Sequence, residues 1–462
     1  MIERVACLCR KAGVDRSVSW TLLTQASRFV TGSVTMFLMV TFLTSEAQGF
    51  AFTFASVLGI SIFLEMGFSQ NILQFAAHEF AKLEFTGNRR LTGDSEAYSR
   101  LVSLARLSFK YYAVASVGFF LVACFGGYWF FSSDLQSDVL WQAPWLIACI
   151  TSTMALLLNP CWALLQGCNQ IAEVERFRFV SSWLGFLALT AGLLCGFGLY
   201  AVTFPGIVAT IVSGFYLVLR WRDFFLGFCS KPMSGTISWG LEIWPFQWRI
   251  AVSWICGYFI FTAITPVVFW ISGASAAGRI GFTLNILRTA SGLASGWSST
   301  KVPLFGMLVA RLEWEELGRV WRRATFMTVV VSALLSAVAI IALAAVAYCF
   351  PMFSTRYAGV AVATLFGISL VCQNLISGFA YYLRSFRREP FVILSVLQAL
   401  LCFSLVMLLT HWMGEFGAAL GYMLATLAVL APAFVIFQRK RLVYQRDVGV
   451  EAEILQPRCV QS

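Results

Sequence analysis

Long apolar stretches separated by short polar segments run along this chain from end to end. A helix that crosses a membrane requires about 20 mostly apolar residues, and by that measure the sequence predicts about twelve spans. They lie at 18–43, 49–72, 111–131, 140–165, 178–198, 200–219, 248–272, 278–300, 325–350, 358–383, 390–410 and 417–437. The eighth is the least apolar, because it contains Arg279, Asn285 and Arg288. The pattern predicts an all-α polytopic membrane protein.

The composition agrees with this pattern. Of the 462 residues, 59% are hydrophobic and 12% are charged, whereas a soluble domain carries about 25% charged residues. The net charge of +11 is also common in nucleic-acid-binding proteins. In a membrane chain it is explained by basic cytoplasmic loops, so no nucleic acid partner is expected. The apolar run 18–43 is too long for a signal peptide and predicts the first transmembrane helix.

Cysteine and histidine provide little material for a cofactor site. The 13 cysteines are scattered without a CxxC pair, and the chain has only two histidines. Neither a disulfide framework nor a metal centre is expected from such spacing. We therefore expect no cofactor and no bound metal.

The basic residues test the predicted topology. If the N-terminus is cytoplasmic, nearly all of the 33 Lys and Arg residues fall in inner segments, and Arg356 alone lies in an outer loop. Cytoplasmic loops of membrane proteins carry an excess of Lys and Arg. The alternation therefore supports an even number of spans with both termini in the cytoplasm.

A repeated motif divides the chain into halves. Ser69–Phe75 follows span 2, Ser299–Phe305 follows span 8, and both read S-x-x-[VI]-x-x-F. Matching motifs at matching places in the helix order indicate a duplicated transporter of two parallel six-helix lobes around a central cavity. The predicted divisions are an N-terminal lobe at 1–220, a cytoplasmic linker at 221–247, a C-terminal lobe at 248–438 and a cytoplasmic tail at 439–462.

Four ionisable residues lie inside predicted spans: Arg28, Glu65, Arg279 and Arg288. Such residues are functional candidates, because a charge in a membrane interior is costly. At about 1.5 Å per helical residue, Arg28 and Glu65 differ in depth by only about 5 Å. We therefore expect Glu65 to be either the counter-ion of Arg28 or an ion-coupling group. Arg279 lies at the outer membrane edge, where an interfacial anchor is at least as plausible as a cavity role.

Polar side chains accompany these charges along the helices. Small and hydroxylated residues also mark plain helix contacts in membranes, but stripes that include a charge in both halves favour a wet cavity. Three arginines against one glutamate leave the membrane interior net positive. This balance favours an anionic cargo, because arginine binds phosphate through a planar fork of donors. The predicted substrate-binding residues are Arg28, Arg288, Gln25, Asn285, Gln373, Asn374 and Lys301.

Several segments carry a family resemblance that covers nearly the whole chain. They are WTLLTQASRFVTGSVTMFLMVTFLTSEAQGF, EMGFSQNILQFAAHEFA, PFQWRIAVSWICGYF, STKVPLFGMLVAR and YYLRSFRREPFV. The chain resembles the bacterial polysaccharide-flippase branch (O-antigen and exopolysaccharide repeat-unit translocases) of the multidrug/oligosaccharidyl-lipid/polysaccharide exporter superfamily.

The resemblance implies a multi-pass protein of the bacterial cytoplasmic membrane whose cavity opens alternately to the two sides. The implied cargo is an undecaprenyl-diphosphate-linked oligosaccharide, with Arg28 and Arg288 matching by position the cations thought to hold the diphosphate. It implies transport without catalytic residues. Membrane lipids, a polysaccharide polymerase and glycosyltransferases are the implied partners.

Two other functions are weighed against this one. An ion-coupled multidrug exporter of the same superfamily would use Glu65 as its proton or sodium site. A membrane glycosyltransferase or repeat-unit polymerase would need a large external loop with acidic or Arg-rich motifs, and the predicted external loops are short. An enzyme is therefore not expected.

Overall fold

A computed structural model describes residues 16–87, 89–132, 139–228, 244–386 and 390–455. Within these ranges, 9 helical stretches are long and apolar enough to cross a membrane. Two of them, Ala251–Val309 and Val392–Asp447, are 59 and 56 residues long. Each is interrupted at a glycine with positive φ, Gly273 (82°) or Gly414 (57°), and so provides two crossings. With the first helix, the fold has about twelve spans, as the hydropathy pattern predicts.

The first half of the chain contains nine α-helices and one small hairpin in the ranges described. The helices are α1 Arg16–Phe42, α2 Ser45–Leu58, α3 Ser61–Glu65, α4 Phe68–Phe80, α5 Ser95–Leu121, α6 Gly127–Phe131, α7 Gln142–Gly167, α8 Ile171–Leu194 and α9 Phe204–Gly227. A π-helical turn, Val122–Gly126, joins α5 to α6, and a 3₁₀ turn, Gly198–Thr203, precedes α9. Strands β1 Leu83–Phe85 and β2 Leu91–Gly93 pair antiparallel, with Glu84 opposite Thr92.

The second half continues the helical pattern. Its helices are α10 Trp244–Phe261, α11 Ile264–Ser299, α12 Val302–Ala310, α13 Trp314–Cys349, α14 Pro351–Ser354, α15 Val360–Arg384 and α16 Val392–Leu455. Helix α16 folds back on itself at Gly414. A Cβ placed on Gly417 would lie 1.9 Å from the backbone oxygen of Leu409, so the two arms pack backbone to backbone.

The chain divides into two compact units, Met1–Ile255 and Cys256–Ser462. Helix α9 extends beyond the predicted start of the linker at 221, because Trp221, Phe224 and Phe228 are buried and the rings of Trp221 and Phe224 contact Phe85 of the hairpin. Residues 229–243 of the predicted linker lie outside the described residues. The predicted tail continues α16 as far as Leu455.

The repeated motif marks comparable places in the two units. Ser69–Phe75 lies in α4, a short helix after span 2, and Ser299–Phe305 leads into α12, a short helix after span 8. Helix α4 packs on α5 and α7, and α12 packs on α13 and α15. In both halves the short helix therefore rests on the two spans that follow it.

Candidate functional site

The second span is broken immediately after Glu65. Helix α3 ends there, and Met66 (φ 49°) and Gly67 (φ 69°) adopt the left-handed conformation before α4 begins. The hydroxyl of Tyr111 donates to the carbonyl oxygen of Leu64, and Nε2 of Gln247 donates to that of Met66. Irregular backbone at membrane depth requires such partners, because lipid supplies none.

The carboxylate of Glu65 is held by neutral donors. Its Oε1 accepts hydrogen bonds from Ser69 Oγ at 2.6 Å and from Asn159 Nδ2 at 2.8 Å, and Tyr112 Oη lies 3.5 Å away. The expected pairing with Arg28 is wrong, because α4, α5 and α7 supply the groups around the carboxylate. The ion-coupling role of Glu65 stays a prediction.

The residues that complete this network were missed from the sequence. Asn71 and Gln247 are fully buried and hydrogen-bonded to each other, and together with Asn159 and the two tyrosines they surround the helix break. Asn159 alone gave a signal, since it precedes Pro160 within the apolar run LLLNPCW.

Arg28 lines a cavity of about 480 Å³ in the first unit, formed by residues of α1, α7, α8 and α9. Arg178 is the second basic residue of the lining, and none of the described residues that form it is acidic. Hydroxyl groups contribute most of the remaining polarity, from Thr151, Ser152, Ser181, Ser182, Thr210 and Ser213. The cavity is therefore positive and rich in hydrogen-bonding hydroxyls.

The two arginines of this cavity differ in their partners. Arg178 Nη1 donates to Glu175 Oε1 at 2.7 Å, and the backbone oxygen of Glu175 accepts from Thr24 Oγ1 at 3.1 Å, which joins α8 to α1. Arg28 is exposed, and its guanidinium has no ion pair among the described residues. Gln25 lies one turn before Arg28, is exposed, and is not part of the lining.

In the second unit, two of the three predicted amides are used in helix packing. Asn374 is buried and donates to Ser291 Oγ at 3.0 Å and Ser332 Oγ at 2.9 Å. Gln373 Oε1 accepts from Gln398 Nε2 at 2.8 Å. Asn285 Nδ2 donates to the carbonyl oxygen of Gly281 on its own helix at 2.9 Å. Of these predicted site residues, Asn374 is the most firmly tied to neighbouring helices.

Arg288 is in a different situation. Its Nε and Nη2 are buried without a hydrogen-bond partner among the described residues, and so is the hydroxyl of Tyr422. Tyr422 and Cys402 are the titratable groups that interact electrostatically with this guanidinium. The second unit therefore contains a basic group whose hydrogen-bonding capacity is largely unused.

The other two basic candidates lie apart from these groups. Arg279 Nε donates to Glu415 Oε1 at 2.7 Å, and Arg279 Nη1 donates to Ser275 Oγ at 3.0 Å. Lys301 is exposed immediately before α12. Within the described ranges, no group of three or more His, Cys, Asp and Glu side chains is arranged to hold a metal ion.

Comparison with known proteins shows the fold. No protein-family model matches the chain, and no curated protein matches its sequence. A multidrug resistance MATE family transporter of the MOP superfamily in an inward-facing conformation has a TM-score of 0.67 and 13% identity, over 90% of this chain and 96% of that one. An outward-facing MATE transporter gives a TM-score of 0.57 and 14% identity over 94% and 97%.

A MOP superfamily transporter from Pyrococcus furiosus, whose binding pocket of reverse polarity suggests a different function, gives a TM-score of 0.59. Its identity is 11%, over 93% of this chain and 95% of that one. The chain therefore has the fold of these multi-pass membrane transporters.

Proposed function

We propose that this protein moves an undecaprenyl-diphosphate-linked oligosaccharide across the bacterial cytoplasmic membrane by alternating access, for synthesis of a cell-surface polysaccharide. The observation that carries the proposal is the cavity of the first unit, whose lining within the described ranges contains Arg28 and Arg178 and no acidic side chain. Arginine binds phosphate oxygens through paired, charge-assisted hydrogen bonds. A cavity for organic cations would instead carry carboxylates.

The remaining lining suits the other parts of such a cargo. Serine and threonine hydroxyls both donate and accept hydrogen bonds, as sugar hydroxyls do. The lipid tail would remain in the bilayer, where burial of its methylene groups costs nothing. Arg288 is the candidate diphosphate ligand of the second unit, because its Nε and Nη2 lack partners among the described groups. Lys301 is proposed only as a secondary contact, and glycosyltransferases and a polymerase are the proposed partners.

An ion-coupled multidrug exporter is the alternative. Two observations favour this alternative. The fold is similar to that of multidrug transporters, and the carboxylate of Glu65 lies in a predicted span beside a helix break. Broken helices commonly form coupling-ion sites in transporters. In the structure from Pyrococcus furiosus, the polarity of the binding pocket was itself taken to suggest a different function. In this chain, the positive lining around Arg28 favours an anionic cargo.

Proteoliposomes separate the two functions. Purified protein would be offered a fluorescent undecaprenyl-diphosphate-linked sugar and, separately, a fluorescent organic cation. Arg28→Ala removes two charge-assisted bonds of about 1.5–3 kcal/mol each, so translocation of the diphosphate lipid should fall at least about tenfold. Arg222→Ala is the matched control, because Arg222 is exposed on α9 and outside the cavity lining. Transport of the cation alone, unaffected by Arg28→Ala, would reject the proposal in favour of the alternative.

A further inference from the structure

A second cavity, of about 350 Å³, lies between α8 and α9 in the first unit. Its polar lining consists of Glu173, Arg176, Tyr216 and Arg220, and its apolar lining includes Val180. Val180 is 45% exposed, so the cavity is an open groove on the surface of the unit. We call it the α8–α9 groove.

The charge of the α8–α9 groove favours an anion. Glu173 accepts from Arg220 at 3.3 Å and from the Tyr216 hydroxyl at 3.0 Å. Arg89, which stacks on Trp221, also interacts electrostatically with Glu173. Arg176 is exposed and has no ion-pair partner among the described residues. The lining therefore has two arginines against one carboxylate, and Arg89 adds a third positive charge close enough to act on Glu173.

The charged and apolar parts of the groove are arranged along the helices. Glu173 lies near the start of α8, and Val180 lies about 10 Å farther along the helix axis at about 1.5 Å per residue. Val212 faces the groove from α9. A charged end that continues into an apolar slot matches a lipid, whose phosphate stays at the membrane surface while its chain enters the bilayer.

An aromatic stack lies between this groove and the cavity of Arg28. The ring of Phe177 lines both spaces. It is stacked on Trp162 on the side of the Arg28 cavity, with centroids 4.6 Å apart and planes at 19°, and it contacts Tyr216 on the groove side, also at 4.6 Å. Three rings from α7, α8 and α9 thus form the partition between the two spaces.

We propose that the α8–α9 groove binds the phosphate of an anionic membrane lipid, and that the stack of Trp162, Phe177 and Tyr216 is the gate through which that phosphate passes from the groove to the cavity of Arg28. The binding site stands on its own, whereas the gate rests on the proposed transport of a lipid-linked diphosphate. Rotation of the Phe177 ring away from its two neighbours would connect the groove with Arg178 and Arg28.

The site is tested by lipid retention in native mass spectrometry. Detergent-purified protein would be mixed with phosphatidylglycerol or with phosphatidylcholine, and inorganic phosphate would be added as a competitor. Selective retention of phosphatidylglycerol is expected, weakened about fivefold when one arginine is replaced and about thirtyfold in the Arg176→Gln/Arg220→Gln double variant. Arg222→Gln, on the same helix outside the groove, should retain the lipid as the unmodified protein does.

Equal retention of both lipids, or equal losses in the double variant and in Arg222→Gln, would overturn the site. Displacement of the lipid by low concentrations of inorganic phosphate would identify free phosphate as the ligand and overturn the lipid assignment. None of these outcomes depends on transport, so failure of the site is distinguishable from failure of the proposed function.

The gate is tested with phosphatidylglycerol that carries a photoreactive headgroup. In vesicles of this lipid, cross-links to the α8 and α9 peptides of the groove are expected in the unmodified protein. Phe177→Ala should add strong cross-links to α1 and α7 peptides that line the cavity. Phe186→Ala, on α8 outside both linings, should not. Unchanged cross-links in a folded Phe177→Ala protein, verified by its thermal midpoint, would refute the gate.

Discussion

Replacement of Glu65 tests whether its carboxylate stabilises the broken second span, couples transport to an ion, or does both. In Glu65→Gln, an amide oxygen still accepts from Ser69 and Asn159, whose donors lie 2.6 and 2.8 Å from Oε1. The two bonds weaken from charge-assisted to neutral, a loss of about 1 kcal/mol each. Removal of the desolvation cost of the carboxylate offsets this loss. The free energy of unfolding should therefore change by no more than about 1 kcal/mol.

Glu65→Leu removes the acceptor altogether. The side-chain amide of Asn159 then loses its hydrogen-bond acceptor, Glu65 Oε1, and the hydroxyl of Tyr112 loses its nearby carboxylate. A buried polar group without a partner costs about 1–3 kcal/mol, so we expect a loss of about 2–4 kcal/mol. The measurement is unfolding in mixed detergent micelles, with the free energy obtained for both variants under the same conditions.

Transport assays complete this test. Glu65→Gln should retain exchange of cargo across vesicles at equilibrium but lose transport driven by a proton or sodium gradient. Gradient-driven transport at the unmodified rate would eliminate Glu65 as the coupling group. A Glu65→Leu protein as stable as Glu65→Gln would show that the hydrogen-bond network does not stabilise the break.

Three further predictions concern the second unit. Gly417→Ala should prevent correct folding, because its Cβ would lie 1.9 Å from a backbone oxygen. Gly306→Ala should be tolerated, because a Cβ at that position would have nothing within 4 Å. Size-exclusion profiles of the two variants will check both expectations. Asn374→Ala should lower the free energy of unfolding by about 1–2 kcal/mol without changing the apparent affinity for cargo, since it loses two packing hydrogen bonds. Arg288→Met should raise the free energy of unfolding by about 1–3 kcal/mol and abolish transport, because it removes an unpaired buried charge. Arg279→Met should lower the free energy of unfolding, because it leaves Glu415 without its partner.

The spans were predictable because lipid restricts the backbone to continuous helices or to breaks with local partners. Hydropathy placed the ends of spans 7 and 8 on either side of Gly273, and the ends of spans 11 and 12 on either side of Gly414, where the helices are interrupted. Neither length nor composition predicted the break at Met66. A left-handed conformation at a residue other than glycine depends on tertiary partners, here the side chains of Tyr111 and Gln247.

The site was predicted in part for a related reason. Helical rise gives the relative depth of residues along predicted spans, and on that basis Arg28 and Glu65 are expected at similar depths. Depth does not determine which helices are neighbours. Arg28 faces a cavity with α7, α8 and α9, whereas Glu65 bonds to Ser69 and Asn159. Pairing by depth therefore failed, and Arg178 was missed because it lies near the end of a span, where basic residues are common.

Arg279 and Arg288 show why an intramembrane arginine is informative only together with its partners. Both lie on α11, but Arg279 is neutralised by Glu415, and its replacement would leave that carboxylate unpaired. Arg288 has no such partner among the described residues, and its Nε and Nη2 are buried. An unpaired buried charge costs several kcal/mol, a cost that a bound anion would offset. Arg28 also lacks an ion pair among those residues, but it is exposed, so water already solvates its charge and a bound anion would offset a smaller cost than at Arg288.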